Sequence, residues 1–240
     1  IYSWRTVWQG IAILIILFLP FIVLNTIKSI NFDSRETSNK VDLKKSKIKS
    51  WKRIEVIKDF RFYILSLNML AMPWLATGIF VYQSFITDSK MWSIYTVPKA
   101  FMVYSITSIA TLFLTGFLVD KFTGRKLILF MNIPLLLAML VLFQFKHEMF
   151  AYIFLGLIGI SNGLANILGS STWAEIYGVK YIGSIKALTT AFMVFSTAFG
   201  TGIFGFLIDS GFTIENIAFI GVAYIVISLF LLIFFQKTIK

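Results

Sequence analysis

The chain has 240 residues, 58% of them hydrophobic and only 14% charged, with mean hydropathy +0.84 and a formal net charge of +11. Those proportions exclude the soluble globular classes. The absence of cysteine excludes disulfides, thiol catalysis and Cys-ligated metals, and the lone His147 has no companion ligands.

Seven apolar stretches follow one another: 6–24, 62–86, 97–119, 126–145, 149–171, 183–208 and 215–236. Each is near the ~20 residues that a helix needs to cross ~30 Å of hydrocarbon. The sequence therefore predicts an all-α membrane protein with seven transmembrane helices. The first span follows a polar cap (Tyr2, Ser3, Trp4, Arg5) with no initiator Met and no signal-peptide n-region. That start reads as the last helix of an absent N-terminal half, so three parts are expected: 1–24 as that helix, 25–61 as a basic cytoplasmic central loop, and 62–240 as a six-helix domain.

The insert 25–61 is rich in Lys, Ser, Asp and Asn to about residue 50, the composition of a solvated linker. From Trp51 the pattern changes, with Ile54, Ile57 and Phe60 recurring at helical spacing between Lys52, Arg53, Glu55 and Lys58. This predicts either a short amphipathic helix on the membrane surface or an extension of the next span.

Polar content along the later spans is uneven. The second span carries Ser66, Asn68, Thr77, Tyr82 and Gln83; the third Tyr104, Ser105, Thr107, Ser108 and Thr111; the fifth Ser161, Asn162, Asn166 and Ser170; the sixth Thr189, Thr190, Ser196, Thr197 and Thr201. The first, fourth and seventh are nearly unbroken Leu, Ile, Val and Phe. Polar groups inside a bilayer turn toward protein or water. Every third span is therefore expected at the periphery, as two triplets of helices would give.

Eleven of the 22 Lys and Arg lie within 28–61. With that segment inside and the spans alternating, eighteen basic residues fall on the cytoplasmic side and four (Arg5, Lys90, Lys99, Lys146) outside. The positive-inside rule accounts for this split. The chain is expected in the cell (inner) membrane, its N-terminal end outside and its central loop and C-terminus cytoplasmic. The positive charge then reports orientation and contact with anionic headgroups rather than nucleic acid, for which no basic stripe with interleaved aromatics is present.

Gly116-Phe117-Leu118-Val119-Asp120 nearly repeats as Gly205-Phe206-Leu207-Ile208-Asp209. The two copies end spans at opposite membrane faces, the mark of an inverted-topology repeat. The first continues through Lys121 to Gly124-Arg125-Lys126 and resembles the G-x-L-x-D-R-x-G-R-[RK] loop of the major facilitator superfamily, with one extra residue between Asp and Gly. Thr172-Trp173-Ala174-Glu175-Ile176-Tyr177-Gly178, followed by Gly183-Ser184-Ile185-Lys186, resembles the tenth and eleventh helices of bacterial facilitators, nearest the monocarboxylate/oxalate branch. A Pro expected after the glycine of the eleventh helix is Thr201 here. The resemblance covers the chain as the sixth to twelfth helices and implies a C-terminal bundle of 3+3 inverted repeats.

The resemblance implies a secondary active transporter that moves a small solute, such as an organic anion, by alternating access. It implies no cofactor and no metal. Its partners would be the small-molecule substrate, the lipid bilayer and the N-terminal half. No bond-making enzyme motif is present. Asn68, Tyr82, Gln83, Tyr104, Asn162 and Asn166 are expected on the substrate pathway. In the fifth span Gly159, Asn162, Gly163, Asn166 and Ser170 form one stripe, which fits either a cavity wall or helix packing. Gly116, Asp120, Gly124, Arg125 and Glu175 are expected at the inner gate. Gly116 would allow close helix approach, and Asp120, Arg125 and Glu175 would form a paired network. A seven-helix receptor or photoreceptor shares the topology, although the last span offers no Lys for a retinal Schiff base. A non-transporting, transporter-like sensor is the other alternative.

The absence of native cysteine allows a direct test of topology. Single cysteines at Ser89, Ser46 and Lys237 are expected to react with an impermeant thiol reagent in intact cells only at position 89. Labelling at 46, or none at 89, would reverse the orientation.

Overall fold

The computed structural model describes residues 4–29 and 49–235, and the chain divides into two units. The first unit contributes helix α1 (Trp4–Ser29), apolar on every side as a helix in lipid is. Residues 30–48 and 236–240 lie outside the described residues, and with them the linker reading and part of the charge asymmetry.

The second unit runs through α2 (Arg53–Lys58), α3 (Phe60–Val81), α4 (Gln83–Lys90), α5 (Thr96–Phe122), α6 (Gly124–Leu127), α7 (Ile133–Gln144), α8 (Met149–Tyr177), α9 (Ile182–Asp209) and α10 (Ile214–Phe234). No strand occurs among the described residues. Seven segments, counting α6 and α7 as one, are long and apolar enough to cross a membrane.

Two boundaries decide matters that the sequence leaves open. Asp59 adopts an extended conformation between α2 and α3 and accepts a hydrogen bond from the Arg61 N–H at 3.1 Å, so α2 is a separate helix with α3 capped behind it. The fourth span is interrupted: a single 3₁₀ turn (Ile128–Phe130) and the pair Met131-Asn132 separate α6 from α7, with Pro134 in the first turn of α7. Proline is tolerated there because that N–H has no intrahelical partner in any case.

Packing within this unit is pairwise. The most extensive pairing is α5 with α8, followed by α9 with α3; α7 lies against α8 and α10, and α10 also touches α3. Glycines set the distances. A Cβ on Gly163 of α8 would lie 2.7 Å from the Ser108 carbonyl of α5, and Gly159 is pressed against the Tyr104 backbone. On the other pair, a Cβ on Gly200 of α9 would come 2.8 Å from the Trp74 Cα of α3. With no hydrophobic drive between helices in lipid, such close contact supplies the dispersion energy for association.

The expected ordering of interior and peripheral spans needs correction. Within this unit α5 and α9 bury the smallest share of their surface, while the nearly all-apolar α7 and α10 bury more. The hydroxyls of α5 and α9 mark helices that border a cavity, and a cavity wall is itself uncovered. Their outer faces carry Ile106, Phe113 and Phe117 on α5 and Phe195, Phe199 and Phe206 on α9, all exposed. Gly116 also departs from expectation: among the described residues, a Cβ there would meet nothing within 4 Å.

One end of the bundle is tied by a buried ion pair. The Lys90 side chain is fully buried and its Nζ donates to Glu215 Oε1 at 2.8 Å, joining α4 to the start of α10. Beside it Trp92 Nε1 donates to the Lys146 carbonyl at 2.6 Å, and the Ser93 N–H donates to Glu148 Oε1 at 2.7 Å.

The glycine contacts give a matched test. Gly200→Ala should destabilise the protein by roughly 1–3 kcal/mol, the usual cost of overpacking. Gly202→Ala, where a Cβ would meet nothing within 4 Å, should leave the melting temperature unchanged or slightly raised. Equal melting temperatures for the two variants would contradict the close packing of α9 on α3.

Candidate functional site: a cavity between four spans and a capped turn at one end

A cavity of about 460 Å³ lies between α3, α5, α8 and α9. Pro73 helps to shape the α3 wall: without an N–H it leaves the Met69 carbonyl without its helical partner, and residues 69 and 73 both line the cavity. Tyr104 contributes from α5, and Asn162, Asn166, Gly169, Ser170 and Trp173 from α8. From α9 come Lys186, Thr189, Thr190, Met193 and Thr197, one stripe at steps of three and four residues. Among the described residues, Lys186 is the only charged residue in the lining, and no Asp or Glu joins it.

The two amides are held but not exhausted. Asn162 Nδ2 donates to Ser108 Oγ at 2.9 Å, and Asn166 Nδ2 donates to the Asn162 carbonyl at 2.8 Å. An amide offers two N–H donors and a carbonyl acceptor, so each retains capacity for a ligand. The stripe read from the sequence thus divides. Gly159 and Gly163 pack against α5, while Asn162, Asn166 and Ser170 turn to the cavity.

Of the six residues expected on the pathway, Tyr104, Asn162 and Asn166 line the cavity, and Tyr82, Gln83 and Asn68 do not. Tyr82 ends α3 and stacks on Phe204, its hydroxyl against Gly205. Gln83 opens α4 in an exposed position. Asn68 is fully buried on the side of α3 facing the break before α7, where its backbone carbonyl accepts from Asn132 Nδ2 at 2.6 Å. The Pro73-bearing helix α3 turns residues 66, 69, 70 and 73 to the cavity and leaves 68 behind.

The turn between the third and fourth spans adjoins the C-terminal end of α8. Glu175 accepts the Gly124 N–H at 2.6 Å on one oxygen and the Arg125 N–H at 3.0 Å on the other. It therefore caps the start of α6 with a charge-assisted pair of hydrogen bonds. Of the three residues expected to form a gate network, Glu175 grips backbone amides and Asp120 is exposed. Gly124 is needed for a steric reason, since a Cβ would come 2.6 Å from Ser171 Oγ. Thr123 has φ +72° and ψ 146°, a region that favours glycine. It is one of the three residues between Asp120 and Gly124, where the resembling loop has two.

A second cluster at this end escaped the sequence reading. Arg61 pairs with Asp59 at 2.8 Å, and the Tyr177 hydroxyl donates to the same carboxylate at 3.1 Å. The Trp51 N–H donates to the Tyr177 carbonyl at 2.9 Å, and its ring meets Tyr177 edge-on. Asp59 and Arg61 stand two apart at the start of a span, a spacing that signals a cap, but nothing in the sequence ties them to a tyrosine 118 positions away.

No protein-family model, no curated protein and no solved structure matches the chain. The site therefore stands on its own geometry.

The turn can be probed through stability. Thr123→Gly should raise the melting temperature, since a non-glycine residue in that region costs of order 1–3 kcal/mol. Glu175→Gln should lower it by removing the charge from two hydrogen bonds. No change in either variant, measured by thermal unfolding in detergent, would contradict the capped-turn geometry.

Proposed function

We propose that the chain is the cavity-bearing, C-terminal half of a secondary transporter of the major facilitator type, moving a small solute by alternating access. The observation that carries the reading is the cavity: water-capable, lined by amides and hydroxyls from four helices, and bordered by the two spans least covered by the rest of the unit. Apolar faces on α5 and α9 flank it, and in the proposed transporter the helices of the absent half pack there and close the cavity.

The packing supports a two-triplet arrangement. Exchange α3, α5 and α6–α7 for α8, α9 and α10. The α5–α8 pair then becomes α9–α3, α7–α8 becomes α10–α3, and α7–α10 maps onto itself. Inverted repeats would give such an exchange. The glycine contacts follow it, on α8 against α5 and on α9 against α3.

Charge favours an anionic solute. Lys186 has no carboxylate beside it in the lining, so a cation would meet only repulsion there, while an organic anion would find a counter-charge and amide donors. Among the described residues, no carboxylate lines the cavity to carry a coupling proton.

Uptake into proteoliposomes containing the full-length protein tests the reading. Saturable uptake of a small radiolabelled carboxylate is expected. Asn166→Ala should raise its half-saturating concentration several-fold, by analogy with the ~0.5–1.5 kcal/mol net value of a hydrogen bond, without changing the melting temperature. A melting temperature lowered by several degrees with unaltered uptake would mark the amide as a packing residue.

A further inference from the structure

The segment before the second span presents a surface that the cavity does not use. Four apolar side chains along α2 and the first turn of α3 remain exposed: Ile54 is 69% exposed, Ile57 37%, Phe60 46% and Tyr63 50%. They recur every third residue and make an apolar strip along this segment. Val56, by contrast, is fully buried in a core with Phe62, Trp173, Tyr177 and Ile185, so the helix sits on the bundle by its other side. Lys52, Arg53 and Lys58 surround the strip and are exposed.

Two further observations show that this surface is held in place. Trp51 is fixed to the end of α8 through the Tyr177 carbonyl, and the Asp59–Arg61 pair with the Tyr177 hydroxyl locks the joint between α2 and α3. The only carboxylate on α2 is already engaged: Glu55 accepts the Lys52 N–H at 2.7 Å and pairs with Lys49 at 3.3 Å. That backbone hydrogen bond, with Lys49 beside it, holds the Glu55 carboxyl below its ordinary value. Arg53 and Lys58 make no ion pair among the described residues, so the surface carries uncompensated positive charge around an apolar strip.

We infer that α2 and the first turn of α3 form a docking surface for anionic phospholipid, with the apolar strip at the acyl boundary and Arg53, Lys58 and Lys52 on the headgroup phosphates. The occupant is lipid rather than a protein partner because the strip leads directly into a span and borders the end of another, Phe60 meeting Phe235 edge-on. That zone is where hydrocarbon gives way to headgroups. An interfacial helix binds through buried apolar area plus attraction to anionic lipid, and each Lys or Arg near the surface contributes about fivefold in affinity. The same joint reaches α8 through Tyr177, two residues from Glu175, and α2 contacts α9, whose Ile185 shares a core with Val56, so bound lipid would steady the end of the cavity wall. The inference rests on these helices spanning a bilayer and not on solute transport.

Native mass spectrometry of the full-length protein, from detergent micelles containing equimolar phosphatidylglycerol and phosphatidylcholine, measures the preference directly. The parent should retain phosphatidylglycerol over phosphatidylcholine, and Arg53→Gln with Lys58→Gln should reduce that ratio at least fivefold. Arg53→Lys with Lys58→Arg keeps the charges and should keep the ratio, which separates a charge effect from misfolding. Ile54→Gln should lower retention of both lipids. An unchanged ratio in the charge-removing variant, a ratio near one in the parent, or loss of the ratio in the charge-preserving variant would overturn the inference.

Discussion

Backbone contact at glycine fixes where everything else in the bundle lies. Within a bilayer, helices gain nothing by hiding apolar surface from lipid, so association depends on close packing and on polar groups that find partners. Gly159 and Gly163 bring α8 onto α5, and Gly200 brings α9 onto α3. These two pairs lean on each other through α7 and α10, and the space left between them is the cavity. Bulkier side chains at those positions would push the pairs apart and change the volume in which Asn162 and Asn166 stand.

The ends of the bundle are secured by different means. At one end a fully buried Lys90 reaches Glu215, and two further hydrogen bonds tie neighbouring turns. At the other, Glu175 caps the four-residue helix α6, and a tyrosine at the end of α8 reaches the Asp59–Arg61 pair. At this end the Glu175 cap on backbone amides stands beside an ion pair that ties the start of α3 to α8.

Much of the fold was legible because hydrocarbon thickness dictates helix length. All seven spans read from apolar runs appear as helices, and the polar spans do border the cavity. Phase was harder. Asn68 and Asn162 look alike in sequence, yet one is buried against Asn132 and the other faces the cavity, because the register of α3 is set by its packing partners and by Pro73. The break at residues 128–132 was hidden inside an apolar run, with Asn132-Ile133-Pro134 its only trace. Charge roles were harder to read for a related reason: proximity along the membrane normal does not announce that Glu175 meets the backbone amides of Gly124 and Arg125. Lys186 and Lys90 were counted for orientation, and only the folded helices separate one on a cavity wall from one buried in an ion pair.

The most direct measurement is the accessibility of a single cysteine at Asn166 from each face of the membrane, in a chain whose 240 residues contain no native cysteine. The account predicts reaction with an impermeant thiol reagent applied to right-side-out vesicles and, separately, to inside-out vesicles. A saturating substrate should protect it from both sides. Reaction from one face alone under every condition would contradict a cavity that opens alternately to the two sides.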